Sequence, residues 1–386
     1  MRKIDFLCFG DSDLWYHNHG HMDIQLMRRF AETGTVLYIN SIIIRKFHVN
    51  EGRMFLRRVK RKLRSVMKGL RSTDIEGMFA YSPFTMPVHH IPGARELNLL
   101  ALRLQVQRKT RKLGMKKPVV WVACPGAAEA AIRLPHTKLV YQRTDRYEDF
   151  PAVDSEQIKR YDKLLKERAD LVIYANRELF RQEQFQCRRA IYLDHGIDYE
   201  AFANAHKDPY VPEEIRQIPH PILGFYGGID AHTSNIELIY EIADLLSDIS
   251  IVLIGSSSID LSELATRKNV YLLDQKPYEQ IPHYGKCFDV CFMPWRQNRW
   301  IEACNPIKLK EYLALGKPVV STPFSELNKY SDLVKIASNA PCFAYAVREA
   351  LEEDDSKEAL KRKRRVARNT WDSKAWEVLH TLYEMN

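Results

Sequence analysis

The chain has 386 residues, 45% of them hydrophobic and 28% charged, with a formal net charge of +9. That length exceeds one modest core and predicts two domains, and the balance is that of a globular protein without low-complexity tracts. No run of 18 apolar residues or signal peptide is read, and seven scattered cysteines exclude a disulfide framework and fit a reducing cytosol. The positive charge admits a phosphorylated substrate, an anionic membrane surface or a nucleic acid.

The first half alternates short apolar segments with helical patterns. IDFLCFG, TVLYIN, PVVWVAC, KLVYQR, DLVIYAN and AIYLDHG read as strands, and MDIQLMRRFAETG, ARELNLLALRLQVQRKTRKLG and SEQIKRYDKLLKERA as helices. This alternation predicts a parallel sheet covered on both faces. After the first strand comes Asp11-Ser12-Asp13, then LWYHNHGHMDIQ, in which His17, His19 and His21 alternate. They lack helical metal-ligand spacing, so His17 and His19 are read as acceptor contacts and no metal site is expected. Residues 53–71 carry nine basic residues and no acid, with Met54, Phe55, Leu56, Val59, Leu63, Val66, Met67 and Leu70 giving an apolar helical face. The pattern predicts a helix on an anionic bilayer. Packing against the domain is the alternative, and no aromatic stacking platform supports RNA binding.

Asp145 ends the strand in Val140–Arg146, which places it at the carboxyl edge of the sheet. A carboxylate there can deprotonate a hydroxyl or orient a sugar, or simply cap a turn or pair with Arg143 or Arg146. His195 lies in the glycine turn DHGID, as an interdomain or packing residue. Residues 198–220 are rich in proline and polar groups and read as a linker and hinge.

A second alternation follows: PILGFYGGI, ISIVLIGS, NVYLLD, FDVCFMPW, PVVST and LVKIAS are the predicted strands. The expected domains are 1–197, 221–360 and a basic helical tail 361–386 returning to the first domain, with Trp371 and Trp376 as anchors. Gly227 and Gly228 follow the first strand of the second domain, where paired glycines let backbone approach a phosphate, or simply make a tight turn. Within residues 294–324, Asn305 is the expected N-cap and Pro306 the first-turn residue of a helix stopped by Gly316. Lys308 and Glu311, three apart, share a face near its N-terminus, where a cation and a carboxylate suit a diphosphate and a ribose diol. By spacing alone an ordinary surface pair on an amphipathic helix is the favoured reading, because such pairs are common.

NPIKLKEYLALGKPVVS resembles the donor segment of GT-B glycosyltransferases, near the large family four and diverged bacterial envelope-polysaccharide enzymes of teichuronic-acid and capsule type. The resemblance implies an α/β GT-B fold, two Rossmann-like domains with parallel sheets facing a cleft. It implies an acceptor domain first and a donor domain second, with no metal. Glu311 would hold the ribose of a UDP- or GDP-type sugar, with Gly227, Gly228, Arg296, Asn305, Pro306 and Lys308 around the diphosphate. Two departures stand out. IDAHTSN, after the glycine pair, lacks the Arg and Lys of many family-four enzymes. The position eight before Glu311 is Ala303, which leaves Glu302 one residue out of register as a catalytic carboxylate beside Asp145, and leaves retention or inversion open. The expected function is sugar transfer to a glycan or lipid-linked acceptor at the cytoplasmic face of a membrane, with no nucleic-acid partner. The rival readings are a nucleotide-sugar epimerase of the same fold and a non-catalytic basic protein that binds membrane or nucleic acid.

Overall fold

A computed structural model describes residues 3–16, 20–42, 52–85, 93–150 and 153–385, with backbone alone for 52–59. The chain divides into two compact units, Met1–Asp194 with Lys374–Asn386, and His195–Ser373.

The first unit is built on β1 (Phe6–Phe9), β2 (Val36–Ile39), β3 (Arg71–Ser72), β4 (Met78–Tyr81), β5 (Val119–Val122), β6 (Leu139–Arg143), β7 (Leu171–Tyr174) and β8 (Ala190–Tyr192). Their order is β3-β4-β2-β1-β5-β6-β7-β8, parallel except where β3 meets β4. Every residue of β1, β2, β5, β6 and β7 is buried, so helices cover both faces and no period-two alternation shows in FLCF, VVWV or LVIY. Helices Met22–Phe30, Ala94–Lys112 and Ser155–Arg168 form where the apolar spacing placed them; Asp154 caps the last by accepting from the Gln157 N–H. Strand β4, MFAY, which follows a turn at Gly77 where φ is +78°, escaped the sequence reading.

The second unit holds β9 (Ile222–Tyr226), β10 (Ser250–Ile254), β11 (Val270–Leu273), β12 (Val290–Met293), β13 (Val319–Ser321) and β14 (Val334–Ile336), ordered β11-β10-β9-β12-β13-β14 and wholly parallel. In each sheet the order reverses once, between β1 and β5 and between β9 and β12. Ligands of open α/β sheets settle outside the carboxyl ends of the strands at such a reversal.

Two boundaries differ from expectation. Residues 198–220 are no free linker: they fold into helices Tyr199–Ala203 and Glu213–Arg216, and Phe202, Ala205, Ile215 and Ile218 lie in the core of the second unit. Burial of those four side chains outweighs the local proline signal. The basic tail is not one helix. Ser356–Val366 packs in the second unit, where Arg362 donates to Gly316 O, and only Lys374–Asn386, which begins inside helix Trp371–Glu384, belongs to the first. Trp371 is buried and Trp376 exposed.

The first unit carries a buried ionic knot. Arg143, at the end of β6 and fully buried, reaches Glu148 at 2.9 Å and Asp162 and Glu183 at 3.3 Å. Lys166 sits 2.5 Å from Asp162 and 2.6 Å from Glu183, and Tyr141 donates to Asp162. Burial alone would raise the Glu183 carboxyl, but Arg143 and Lys166 more than offset it and hold it below its ordinary value. Arg143→Met leaves three carboxylates around one lysine. The expected loss is about 3–5 kcal/mol, read by urea unfolding of the first unit.

Candidate functional site

Beyond β9 the chain turns at Gly227, where φ is +144° and where a Cβ would lie 2.2 Å from the Lys308 Nζ. A Cβ on Gly255, φ +154°, would meet Gly227 O at 1.9 Å. Glycine is therefore required at both strand ends, one to admit the lysine and one to admit the neighbouring backbone. Gly228 borders open space. Downstream, Asp230 accepts from the backbone N–H groups of His232 and Thr233 and from the Thr233 hydroxyl, so this loop is shaped by its own carboxylate.

Helix Ile307–Leu315 points its N-terminus into this corner. Its cap is Pro306 rather than Asn305, and no side chain caps it. Asn305 is buried, and its Oδ1 accepts from Lys310 Nζ at 3.1 Å instead. That exchange leaves the first turn without a capping side chain, which favours an incoming anion. Lys308 lies in the same turn, partly buried, its Nζ 4.5 Å from the Phe225 ring centroid and 5.7 Å from that of Trp295. Phe225 belongs to β9 and Trp295 follows β12, so the lysine stands at the order reversal of the sheet. Burial pushes its ammonium down to about 8, against the pull of Glu311 and Asp230.

Glu311, one turn on, is 2% exposed, and its Oε1 accepts from the Tyr278 hydroxyl at 2.9 Å. Burial pushes its carboxyl up to about 7, despite Tyr278, Tyr226 and Lys308, which act in the opposite direction. Tyr278, Tyr226, Phe225 and Trp295 were not singled out in the sequence. Only the fold brings Tyr278 to a residue 33 positions away.

The other candidates are distributed as follows. Arg296 donates to both Glu237 oxygens and to Ser234 O, bracing the segment after β12 against helix Ile236–Leu245. Glu302 is exposed at the end of the short helix Arg299–Glu302, in the same unit. His195 is buried in the second unit, its ring edge-on to Trp371 at 6.1 Å. Asp145 belongs to the first unit and is half-buried after β6. Burial, with the fields of Asp11 and Asp145, raises the neighbouring Tyr147 phenol well above its usual range. His17 and His19 lie outside the described residues.

The basic segment forms helix Gly52–Met67. Its inward contacts among the described side chains are polar: Ser65, fully buried, donates to Asp13 and lies against Ser82, and Lys62 donates to Ser41 O. Lys68 sits over the rings of Trp15, at 4.6 Å, and Tyr16, at 5.1 Å. Leu63 and Met67, on the opposite side from Ser65, are 50% and 76% exposed. Asp13 is committed to Ser65 and the Trp15 N–H, and Asp23 accepts from the Asp11 N–H. Among the described residues no group of three His, Cys, Asp or Glu is placed to hold a metal ion.

Residues 220–353 match the family model described as "Glycosyl transferases group 1". A stretch of 141 residues is 30% identical to the putative teichuronic acid biosynthesis glycosyltransferase TuaH of Bacillus subtilis, covering 36% of this chain and 35% of that one. The chain thus spans about a third of that relative's length. Over 99% of the chain the structure is similar to sucrose-phosphate synthase from Thermosynechococcus elongatus (TM-score 0.70, 16% identity, 98% of that chain). It is likewise similar to Anabaena HepE solved with UDP-glucose (TM-score 0.67, 14% identity, 99% of this chain and 100% of that one). The fold is that of the GT-B glycosyltransferases.

A site that withdraws both Lys308 and Glu311 from water costs stability. Glu311, raised above its ordinary 4.5, destabilises the fold increasingly as pH climbs from there to about 7. Lys308, lowered from 10.5, carries its cost below about 8 and loses it as pH rises towards 10.5. Glu311→Gln is expected to raise stability at pH 7 by about 1–3 kcal/mol, read as a higher melting temperature, with the gain vanishing near pH 4.5.

Proposed function

We propose that this protein is a glycosyltransferase that draws a sugar from a nucleoside-diphosphate donor of UDP or GDP type. The observation that carries this reading is the pairing of Lys308 and Glu311 at the carboxyl end of β9 and β12, beside an uncapped helix N-terminus and the open side of Gly228. Gly227 and Gly228 give the diphosphate access to backbone. Lys308 and the first-turn N–H groups after Asn305 and Pro306 balance its charge, and Glu311 accepts from the ribose diol. Arg296 supports the loop. In transfer, an acceptor hydroxyl oxygen bonds to the anomeric carbon while the bond to the departing diphosphate breaks. Lys308 and the helix end stabilise the negative charge that develops there. Glu302 and Asp145 are the proposed carboxylates for orienting the sugar and taking the acceptor proton. The match to a teichuronic acid enzyme supports a glycan or lipid-linked acceptor of an envelope polysaccharide. No described helix is long and apolar enough to cross a membrane. Peripheral attachment is proposed instead through helix Gly52–Met67, whose exposed Leu63 and Met67 stand among Lys60, Arg61, Arg64 and Lys68.

The test of the donor site is a thermal-shift panel of UDP, GDP, ADP and their sugar conjugates on wild type and Glu311→Ala. One nucleotide, well above its dissociation constant, should stabilise the wild type by a few kcal/mol and the variant much less. If no nucleotide shifts the wild type while anionic vesicles or RNA do, the enzyme reading fails. The affinity should follow a bell in pH. It rises as Glu311 ionises through about 7 and falls as Lys308 discharges above about 8, as read by calorimetric titration between those limbs. For the membrane contact, vesicles of phosphatidylcholine with and without phosphatidylglycerol are sedimented with the protein. Binding should need the anionic lipid, weaken with salt, and fall about tenfold in Leu63→Ser/Met67→Ser. Binding that ignores both lipid charge and this variant would dismiss it.

A further inference from the structure

Two tyrosines converge on Glu311 from different parts of the second unit. Tyr278 begins the 3₁₀ turn Tyr278–Gln280 beyond β11, where its ring leans on the buried Phe202 at 6.1 Å and its hydroxyl donates to Glu311 Oε1. Tyr226 is the last residue of β9, 5% exposed, its ring edge-on to Tyr312 at 4.7 Å and its N–H donating to the Tyr312 hydroxyl. The Tyr226 hydroxyl is buried without a hydrogen-bond partner, and it is among the groups that favour the Glu311 anion. A buried hydroxyl left without a partner costs about 1–3 kcal/mol, and such a group calls for a reason.

We propose that Tyr226 and Tyr278 are positioning residues for the nucleoside: their hydroxyls bracket Glu311 and hold its carboxylate in the orientation that accepts the ribose cis-diol. This rests on the donor reading above and adds to it which groups prepare the carboxylate. A carboxylate has lone pairs for about four donors. Tyr278 takes one on Oε1, and the rest serve the two ribose hydroxyls and Tyr226. The charged groups facing Glu311 are few. Tyr278 and Tyr226 favour its anion from β11's turn and from β9, as does Lys308 from its own helix, while Asp198, just before helix Tyr199–Ala203, opposes it. Removing a tyrosine hydroxyl therefore makes the buried acid harder to ionise. The consequence is a displaced pH dependence of binding, whereas loss of packing alone would weaken binding at every pH.

The test titrates the full chain with UDP, or GDP if the panel selects it, and with the matching 2′-deoxynucleotide, between pH 6 and 8.5. In Tyr278→Phe the acidic limb of the affinity profile should move upward by about half a pH unit or more. The dissociation constant at pH 6.5 then rises about threefold or more, while that at pH 8 stays within about twofold. The deoxynucleotide, with one fewer hydroxyl to place on Glu311, should respond less. Tyr226→Phe should shift the limb in the same direction and provides an independent reading where Tyr278→Phe folds poorly. A uniform loss of affinity at every pH, or an unmoved limb, overturns the assignment and leaves the donor site standing. If the wild type binds no nucleoside diphosphate, the donor reading itself fails and this inference goes with it.

Discussion

The second unit depends on an arrangement that is unfavourable on its own terms: a lysine and a glutamate, three residues apart, both largely withdrawn from water at the ends of β9 and β12. Exposed, such a pair would be worth almost nothing. Buried, each is pushed towards its neutral form, and a fold would retain them more cheaply as apolar residues. Several features surround them. Gly227 leaves room for the ammonium, and Phe225 and Trp295 offer it ring faces. Asn305 turns to Lys310 instead of capping the helix, and Tyr278 reaches across from beyond β11. The proposed donor would account for this cost, because a bound nucleoside diphosphate would supply interactions that the protein does not.

The ionic knot of the first unit is a contrast in kind. Arg143 is more deeply buried than Lys308, but three carboxylates and a second cation surround it, so every charge has a partner within the protein. Buried charge by itself therefore does not point to function; the distinction is whether the protein alone satisfies it. Helix Gly52–Met67 adds another kind of feature. Among its described side chains Ser65 and Lys62 make polar contacts with the first unit, Val66 is half-buried, and Leu63 and Met67 stand in water, where burial would normally be favoured.

Much of the architecture is a local matter and was legible in the residues. VLYI, VVWV, LVIY and SIVLI are apolar on both faces because helices cover both, and length alone separates them from helices such as SEQIKRYDKLLKER. NPIKLKEYLALGKPVVS contains its own stop at Gly316, in the left-handed conformation with φ +81°, and the strand that follows. The pairing of Lys308 with Glu311 on one helical face follows from the same local periodicity. Strand β4 was missed because MFAY lacks the β-branched residues that mark VLYI, VVWV and LVIY as strands.

The residues alone settled what depends on neighbours a few positions apart: two rounds of strand and helix, the helix that bears Lys308 and Glu311, and the helix formed by the basic run of residues 53–71. The tertiary structure decided what depends on residues far apart. It drew 198–220 into the core of the second unit, set the Tyr278 hydroxyl on Glu311, and left Leu63 and Met67 of the basic helix exposed. Periodicity records which side of an element is apolar, but what that side meets is set by the packing of other elements, and the charge of a buried carboxylate is set by whichever hydroxyls that packing brings to it.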